Sequence, residues 1–182
     1  MRRRGVIAAL TVGVAALGIA AFALAGGSGA GFNHLKATMS GYQEVPSVSS
    51  TGTADFTADV SQDGSSIAWQ LTYSGLEGDV RQSHIHFGQR SVNGGISVFL
   101  CTNLGNGPAG TQACPGPHSG TISGTFTATD VTAAAAAQGI GAGEYDELVR
   151  AIDAGKTYAN VHTTTWPGGE IRAQLNEDDP HN

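Results

Sequence analysis

The fold class is decided by Thr53-Ala54-Asp55-Phe56-Thr57-Ala58-Asp59-Val60 and Ile67-Ala68-Trp69-Gln70-Leu71-Thr72-Tyr73, with Asp63-Gly64 between them. In both stretches, residues facing one side are apolar and most of those facing the other are polar. This alternation is typical of a strand with one buried face. The Asp-Gly pair is a strong signal for a tight hairpin turn. The sequence therefore predicts an antiparallel β-hairpin packed on a core.

Similar patterns extend over most of the chain. Further strands are predicted at 34–39, 80–87, 96–101, 121–127, 157–163 and 169–175. A helical region is predicted at 130–154, in two stretches: 131–138 after the cap Asp130, and 144–154 before the cap Gly155, with a break at the glycines of 139–143. Seven or eight short strands with one late helical insertion predict an all-β domain, specifically an antiparallel Greek-key β-sandwich.

The composition agrees with a domain of short strands and turns. Charged residues make up only 13% of the 182 residues, which excludes a long coiled coil. The 27 glycines lack the strict period of collagen. The formal net charge is −6, and no run of basic residues follows the first four positions. Nucleic acid is therefore not expected as a partner.

Residues 1–25 have the three parts of a secretory signal peptide. Three arginines at 2–4 precede an apolar run at 5–24, and Ala23-Leu24-Ala25 matches the A-x-A cleavage pattern. The apolar run is also long enough to span a bilayer, so an uncleaved membrane anchor is the alternative. We expect a secreted, extracytoplasmic protein with a flexible spacer at 26–34 and an acidic tail at 176–182.

The two cysteines, Cys101 and Cys114, are the only ones in the chain. An even number of cysteines in an exported protein predicts a disulfide bond. The alternative is a soft metal site that uses both thiolates, but their spacing is not the C-x-x-C of common metal sites. We predict that the two residues are bonded.

His84 and His86 are the sharpest candidates for chemistry. Residues two apart on a strand face the same side, so both imidazoles can reach one zinc or copper ion. The alternative is a pair of polar side chains on a solvated strand face. His162 lies on another predicted strand and shares its face with Asn160. The three imidazoles converge if the two strands are neighbours.

Further polar residues are expected around these histidines. The candidates for supporting the ligand histidines are Glu44, Asn160, Glu170 and Arg172, and the two carboxylates are also candidate ligands. Glu170 has an alternative role as the partner of Arg172, its neighbour on the same strand face. His118, in a proline-rich loop, is an additional candidate ligand.

Four blocks of the sequence resemble the CHRD family, which is named from chordin. Gly41–Pro46 is similar to the opening G-x-x-E-V-P, and His84–His86 with Asn93-Gly94 is similar to H-I-H…N-G. Residues 158–163 and 168–175 are similar to the ending Y-x-N-V-H-T…G-G-E-I-R-G-Q-L. The resemblance covers 35–175. It departs from the family at Ala173, where glycine is usual, and at Ser47, where a second proline is common.

The resemblance implies an extracellular, β-rich domain of the kind found alone in secreted microbial proteins, with the histidine-bearing strands close together. It implies no activity, because such members mostly lack an assigned one. We predict a binding domain that holds copper or zinc. The alternatives are a metal-free extracellular interaction or adhesion module, and a redox enzyme similar to copper/zinc superoxide dismutase, which needs more histidines than these three. No G-x-S-x-G or H-E-x-x-H motif indicates a hydrolase.

Overall fold

A computed structural model describes residues 33–175. The predicted signal peptide, nearly all of the predicted spacer and the predicted acidic tail lie outside the described residues. No helix within 33–175 is long and apolar enough to cross a membrane. The eight strands are β1 (His34–Ser40), β2 (Thr53–Val60), β3 (Ile67–Ser74), β4 (Val80–Phe87), β5 (Gly95–Thr102), β6 (Gly120–Phe126), β7 (Thr157–Thr163) and β8 (Ile171–Leu175).

All eight strands belong to one antiparallel sheet, in the order β5-β4-β7-β8-β1-β2-β3-β6. The sheet curves into a nearly closed, barrel-like arrangement with little helix. The predicted all-β class is confirmed. The predicted two-sheet Greek-key sandwich is not confirmed, because every strand of the described region joins the same sheet.

The predicted hairpin is formed by β2 and β3, which pair from Thr53 opposite Ser74 to Val60 opposite Ile67. Phe56 and Leu71 lie opposite each other and are fully buried. Their alternation with exposed neighbours places the apolar face of both strands on the core. The turn uses Gly64 in the left-handed region, where its φ is 71°.

The predicted helical region consists of three separate pieces. Two are 3-10 helices, Ala128–Asp130 and Ala133–Gln138, and the third is an α-helix, α1 (Tyr145–Asp153). Thr127, not Asp130, occupies the first cap position, and the Asp130 carboxylate accepts a hydrogen bond from the Thr127 amide. The region is divided because glycines at 139, 141 and 143 interrupt the helical pattern. Gly155 follows the end of α1 with a φ of 62°, as expected for its role.

Cys101 and Cys114 form a disulfide bond, which confirms the prediction. The loop between them spans the gap between the two edge strands, β5 and β6. The amide of Thr102 on β5 donates to the carbonyl oxygen of Gln112, and the Gln112 side chain donates to the carbonyl oxygen of Ser123 on β6. The loop therefore links the two edges of the sheet.

Replacing both cysteines, in the double variant Cys101→Ser/Cys114→Ser, is expected to lower the free energy of unfolding by about 3 kcal/mol. The reason is that the unfolded chain regains the freedom of a loop closed across 13 positions. Urea unfolding of the oxidised wild type and the variant measures the difference. A loss below about 0.5 kcal/mol would show that the loop is held in place without the bond.

Candidate metal centre

The site is built on three neighbouring strands, β4, β7 and β8. Across them, His84 pairs with Asn160, which pairs in turn with Arg172. One step along, His86 pairs with Tyr158. Because side chains alternate along a strand, these polar residues share one face of the sheet while their apolar neighbours occupy the other. The fold therefore makes the histidine-bearing strands adjacent.

This polar face is buried. His84 is fully buried, and His86 and His162 are only 7% and 8% exposed. The solvated strand face considered for the histidine pair is therefore excluded. The segments 41–48, 88–94 and 166–169 approach this face, and the side chain of Asn93 joins two of them by donating to the carbonyl oxygen of Val45.

The three imidazoles converge on one point. His84, His86 and His162 each present a ring nitrogen, and these three atoms lie within 4.8 Å of one another. Nδ1 of His84 is 3.3 Å from Nε2 of His162. The described residues contain no other group of three such ligands. The predicted ligand set is thus brought together.

Backbone carbonyl groups orient two of the rings. Nδ1 of His86 donates to the carbonyl oxygen of Gly94 at 2.9 Å, and Nδ1 of His162 donates to that of Pro167 at 3.0 Å. With Nδ1 protonated, Nε2 of a neutral imidazole carries a lone pair. In metal-binding histidines, the ring nitrogen that does not bind the metal usually donates its proton to such a carbonyl group or to a carboxylate. The sequence analysis missed these carbonyls, because a backbone acceptor leaves no signal in side-chain pattern.

Burial keeps the imidazoles neutral. It lowers the pKa of His84 to about 2, assisted by the charges that His162 and His86 would carry. Burial also lowers the pKa of His86 to about 4, against the effect of its bond to Gly94. The pKa of His162 is lowered for the same reason, against its bond to Pro167. Neutral imidazole is the form that binds metals, so these rings need not lose protons to do so near neutral pH.

Aromatic and cationic groups hold the rings in place. Tyr158 stacks parallel to His86 with ring centroids 4.7 Å apart, and the Arg172 guanidinium lies 3.3 Å from the Tyr158 ring centroid. Arg172 also donates to the carbonyl oxygens of Gln89 and Val92. Phe99 of β5 packs edge-on against His84, with ring centroids 4.4 Å apart, and this contact was not predicted from the sequence. Arg172 thus ties the 88–94 segment to the site.

Glu170 has its hydrogen bonds elsewhere. Its carboxyl oxygens accept from the hydroxyl groups of Ser50 and Thr163 and from the backbone amide of Glu77. The side chain is completely buried. Glu170 therefore joins three segments of the chain, a different role from the metal ligand or Arg172 partner considered from the sequence.

Glu44 lies closer to the histidines. It is 5% exposed, and burial raises its pKa to about 7, against the opposing effects of the Arg172 charge and of a hydrogen bond from the Asn160 side chain. The Asn160 side chain in turn has Oδ1 3.1 Å from Nε2 of His162. Glu44 is thus connected to the imidazoles through one intervening amide.

Two other histidines lie apart from this group. Nδ1 of His118 bonds to the carbonyl oxygen of Leu76, and its other ring nitrogen lies 3.5 Å from the Asp79 carboxylate. His34 is exposed at the start of β1 and bonds to Asp59. The additional ligand considered at His118 is therefore not part of the three-histidine group.

Comparison with known proteins agrees with the four sequence blocks. The model of the CHRD domain matches residues 35–175, which includes every strand after the first residue of β1. No curated protein and no solved structure matches the chain significantly. Because the family model covers well over half of the sequence, this chain belongs to the CHRD domain family.

Proposed function

We propose that this chain is an exported CHRD binding domain that holds one zinc or copper ion through His84, His86 and His162. The observation that carries the proposal is the convergence of three buried imidazoles on one point. Imidazole is a common ligand of both metals. A catalytic activity is not part of the proposal.

The spacing of the ring nitrogens supports a metal. Two ligands at 2.0–2.1 Å from a tetrahedral ion lie about 3.3 Å apart. His84 Nδ1 and His162 Nε2 are 3.3 Å apart, which is long for a hydrogen bond between nitrogens. The ligand nitrogen of His86 has to move towards the other two nitrogens by at most about 1.5 Å to match this spacing.

Unpaired buried nitrogens also support a metal. Nε2 of His84 and Nε2 of His86 are inaccessible to solvent and have no hydrogen-bond partner. Such atoms are uncommon in folded proteins, because each costs about 1–3 kcal/mol in lost hydration. An ion bound by His86 Nε2 would remove one of these costs.

Export is supported by the first 25 residues and by the disulfide bond. Disulfide bonds persist in oxidising compartments, and CHRD domains are of extracellular type. We propose that the chain is secreted, with membrane attachment only if the apolar N-terminal segment is retained. The acidic net charge argues against nucleic acid as a partner.

A metal-free interaction module for an extracellular protein is the second candidate. The observation in its favour is that Arg172 and Tyr158 tie the covering segment 88–94 to the sheet without an ion. Under this alternative, the histidines serve as part of the same buried network.

The replacement His162→Ala is expected to weaken Zn²⁺ and Cu²⁺ binding by about 100-fold or more, because it removes one of three ligands. Untagged wild-type protein should take up one ion per chain, measured by metal analysis and calorimetric titration. The matched control is His34→Ala, an exposed histidine on the same sheet, which should bind as the wild type does. Folded wild-type protein that takes up no ion would refute the metal site and favour the interaction module.

A further inference from the structure

We infer that Asn160 is the fourth metal ligand, through its side-chain oxygen Oδ1, and that this donor makes the site one for Zn²⁺ or Cu²⁺ and not for Cu⁺. The inference rests on the proposed metal site and adds a ligand to it. Three protein histidines leave one position open on a tetrahedral ion.

Asn160 has a central position in the site. It lies on β7, with His84 beside it on β4 and Arg172 beside it on β8. His162, two residues further along β7, points to the same face. The side chain is 3% exposed, so its polar atoms depend on protein partners. Asn160 is therefore surrounded by the groups that form the site.

The contact between Asn160 and His162 brings two acceptors together. His162 donates its Nδ1 proton to Pro167, so its Nε2 carries a lone pair. Asn160 Oδ1, also an acceptor, lies 3.1 Å from this nitrogen. The His84 Nδ1 proton can reach only one of the two lone pairs, and the other remains unmatched. A cation between the atoms matches both at once, and their separation is close to the spacing of two zinc ligands.

Glu44 fixes which end of the amide faces the histidines. A hydrogen bond from the Asn160 side chain lowers the pKa of Glu44, which is the effect of a donor and therefore indicates that the amide NH₂ faces this carboxyl group. The oxygen Oδ1, at the other end of the amide, faces Nε2 of His162. Gly169 makes room for this carboxyl group, since a Cβ there would lie 2.3 Å from Oε1 of Glu44.

The donor set then selects the ion. Three imidazole nitrogens and one amide oxygen suit Zn²⁺ or Cu²⁺, which accept nitrogen and oxygen ligands. Cu⁺ prefers soft sulfur ligands, and an amide oxygen adds little to its binding. Removing the oxygen should therefore affect the two oxidation states of copper differently.

The test uses Asn160→Leu, which keeps the size of the side chain and removes the oxygen. We expect the Zn²⁺ affinity of this variant to fall at least about 10-fold. Its Cu⁺ affinity should change by less than about 3-fold. Cu⁺ affinity is measured by competition with a chelator, without oxygen and in the presence of a reductant. Asn160→Asp keeps an oxygen and should bind Zn²⁺ at least as tightly as the wild type. Gln70→Leu, which removes an exposed amide on β3, a strand that does not adjoin β4, β7 or β8, is the matched control and should change neither affinity.

The result that would overturn the inference is unchanged Zn²⁺ affinity in Asn160→Leu while His162→Ala loses binding; the three-histidine site would then stand without Asn160. If the wild type binds no metal, both the proposed three-histidine site and the assignment of Asn160 as its fourth ligand are wrong. If Asn160→Leu does not fold, NMR of the wild type decides. The signal of the side-chain carbonyl carbon of Asn160 should shift on Zn²⁺ addition and that of Gln70 should not, and an unshifted Asn160 signal refutes the inference.

Discussion

Metal-free protein is expected to lose stability as the pH falls from about 6.5 to 4. The folded-state pKa values of the three histidines lie below the ordinary value of 6.5. Between the folded and unfolded pKa values, the unfolded chain binds protons that the folded chain excludes. Stability therefore rises with pH across this window and is lost on acidification. For His86 alone, a pKa of about 4 corresponds to about 3 kcal/mol.

Glu44 acts in the opposite direction. Its pKa is raised from 4.5 to about 7, so between these values the folded chain holds a proton that the unfolded chain releases. Its contribution to stability is present below pH 4.5 and is lost as the pH rises to 7. This effect is about as large as that of His86, which leaves His84 and His162 to set the net direction. The loss should steepen below pH 4.5, where Glu44 no longer opposes it.

Urea unfolding in the presence of a chelator, at pH 7, 5.5 and 4.5, measures the effect. The comparison variant is His86→Gln, which lacks one titrating group and should show a shallower dependence on pH. A matched variant, His34→Ala, changes an exposed histidine and should follow the wild type. An unfolding midpoint that stays constant from pH 7 to 4.5 would mean that the buried rings are accessible to protons.

The sequence was sufficient to predict the ligand candidates but not their surroundings. The i, i+2 spacing of His84 and His86 fixes their common face, because strand geometry is local. Placing His162 beside them required strand order, which depends on contacts between distant segments; the family resemblance supplied it. A solvated face was the alternative considered for the histidine pair of β4, yet loops cover this face. Loop positions depend on the whole fold, and alternation does not record them.

The sheet architecture, too, could be predicted from the sequence only where it depends on local contacts. Alternation in 53–60 and 67–73 predicted a hairpin that the structure contains, since its turn and pairing are both local. The distinction between two packed sheets and one curved sheet depends on which edges meet. Here β1 pairs with β2 along its whole length, and it pairs with β8 through Ser40 opposite Arg172. The contact with β8 joins the two halves into one sheet. Nothing in the pattern of either strand specifies that partner.

The second large effect is expected from Glu170→Ala, which should lower the free energy of unfolding by about 4 kcal/mol. Ser50 and Thr163 donate to this carboxyl group at 2.6 and 2.7 Å, and so does the Glu77 amide at 2.7 Å. The truncation leaves three donors without their acceptor around a fully buried position. Each unpaired donor costs about 1–3 kcal/mol, and the new cavity adds to the loss.

The control is Glu147→Ala, which removes a glutamate from an exposed pair with Arg150 and should cost less than about 1 kcal/mol. Denaturant unfolding of both variants gives the comparison. Metal titration of folded Glu170→Ala, under conditions where the variant remains native, separates the two roles considered for this residue. Because its oxygens bind Ser50, Thr163 and the Glu77 amide, Zn²⁺ affinity should stay within about 3-fold of the wild type, whereas a metal ligand or its hydrogen-bond acceptor would cost 10-fold or more. A stable variant that has lost its metal would place Glu170 in the metal site after all.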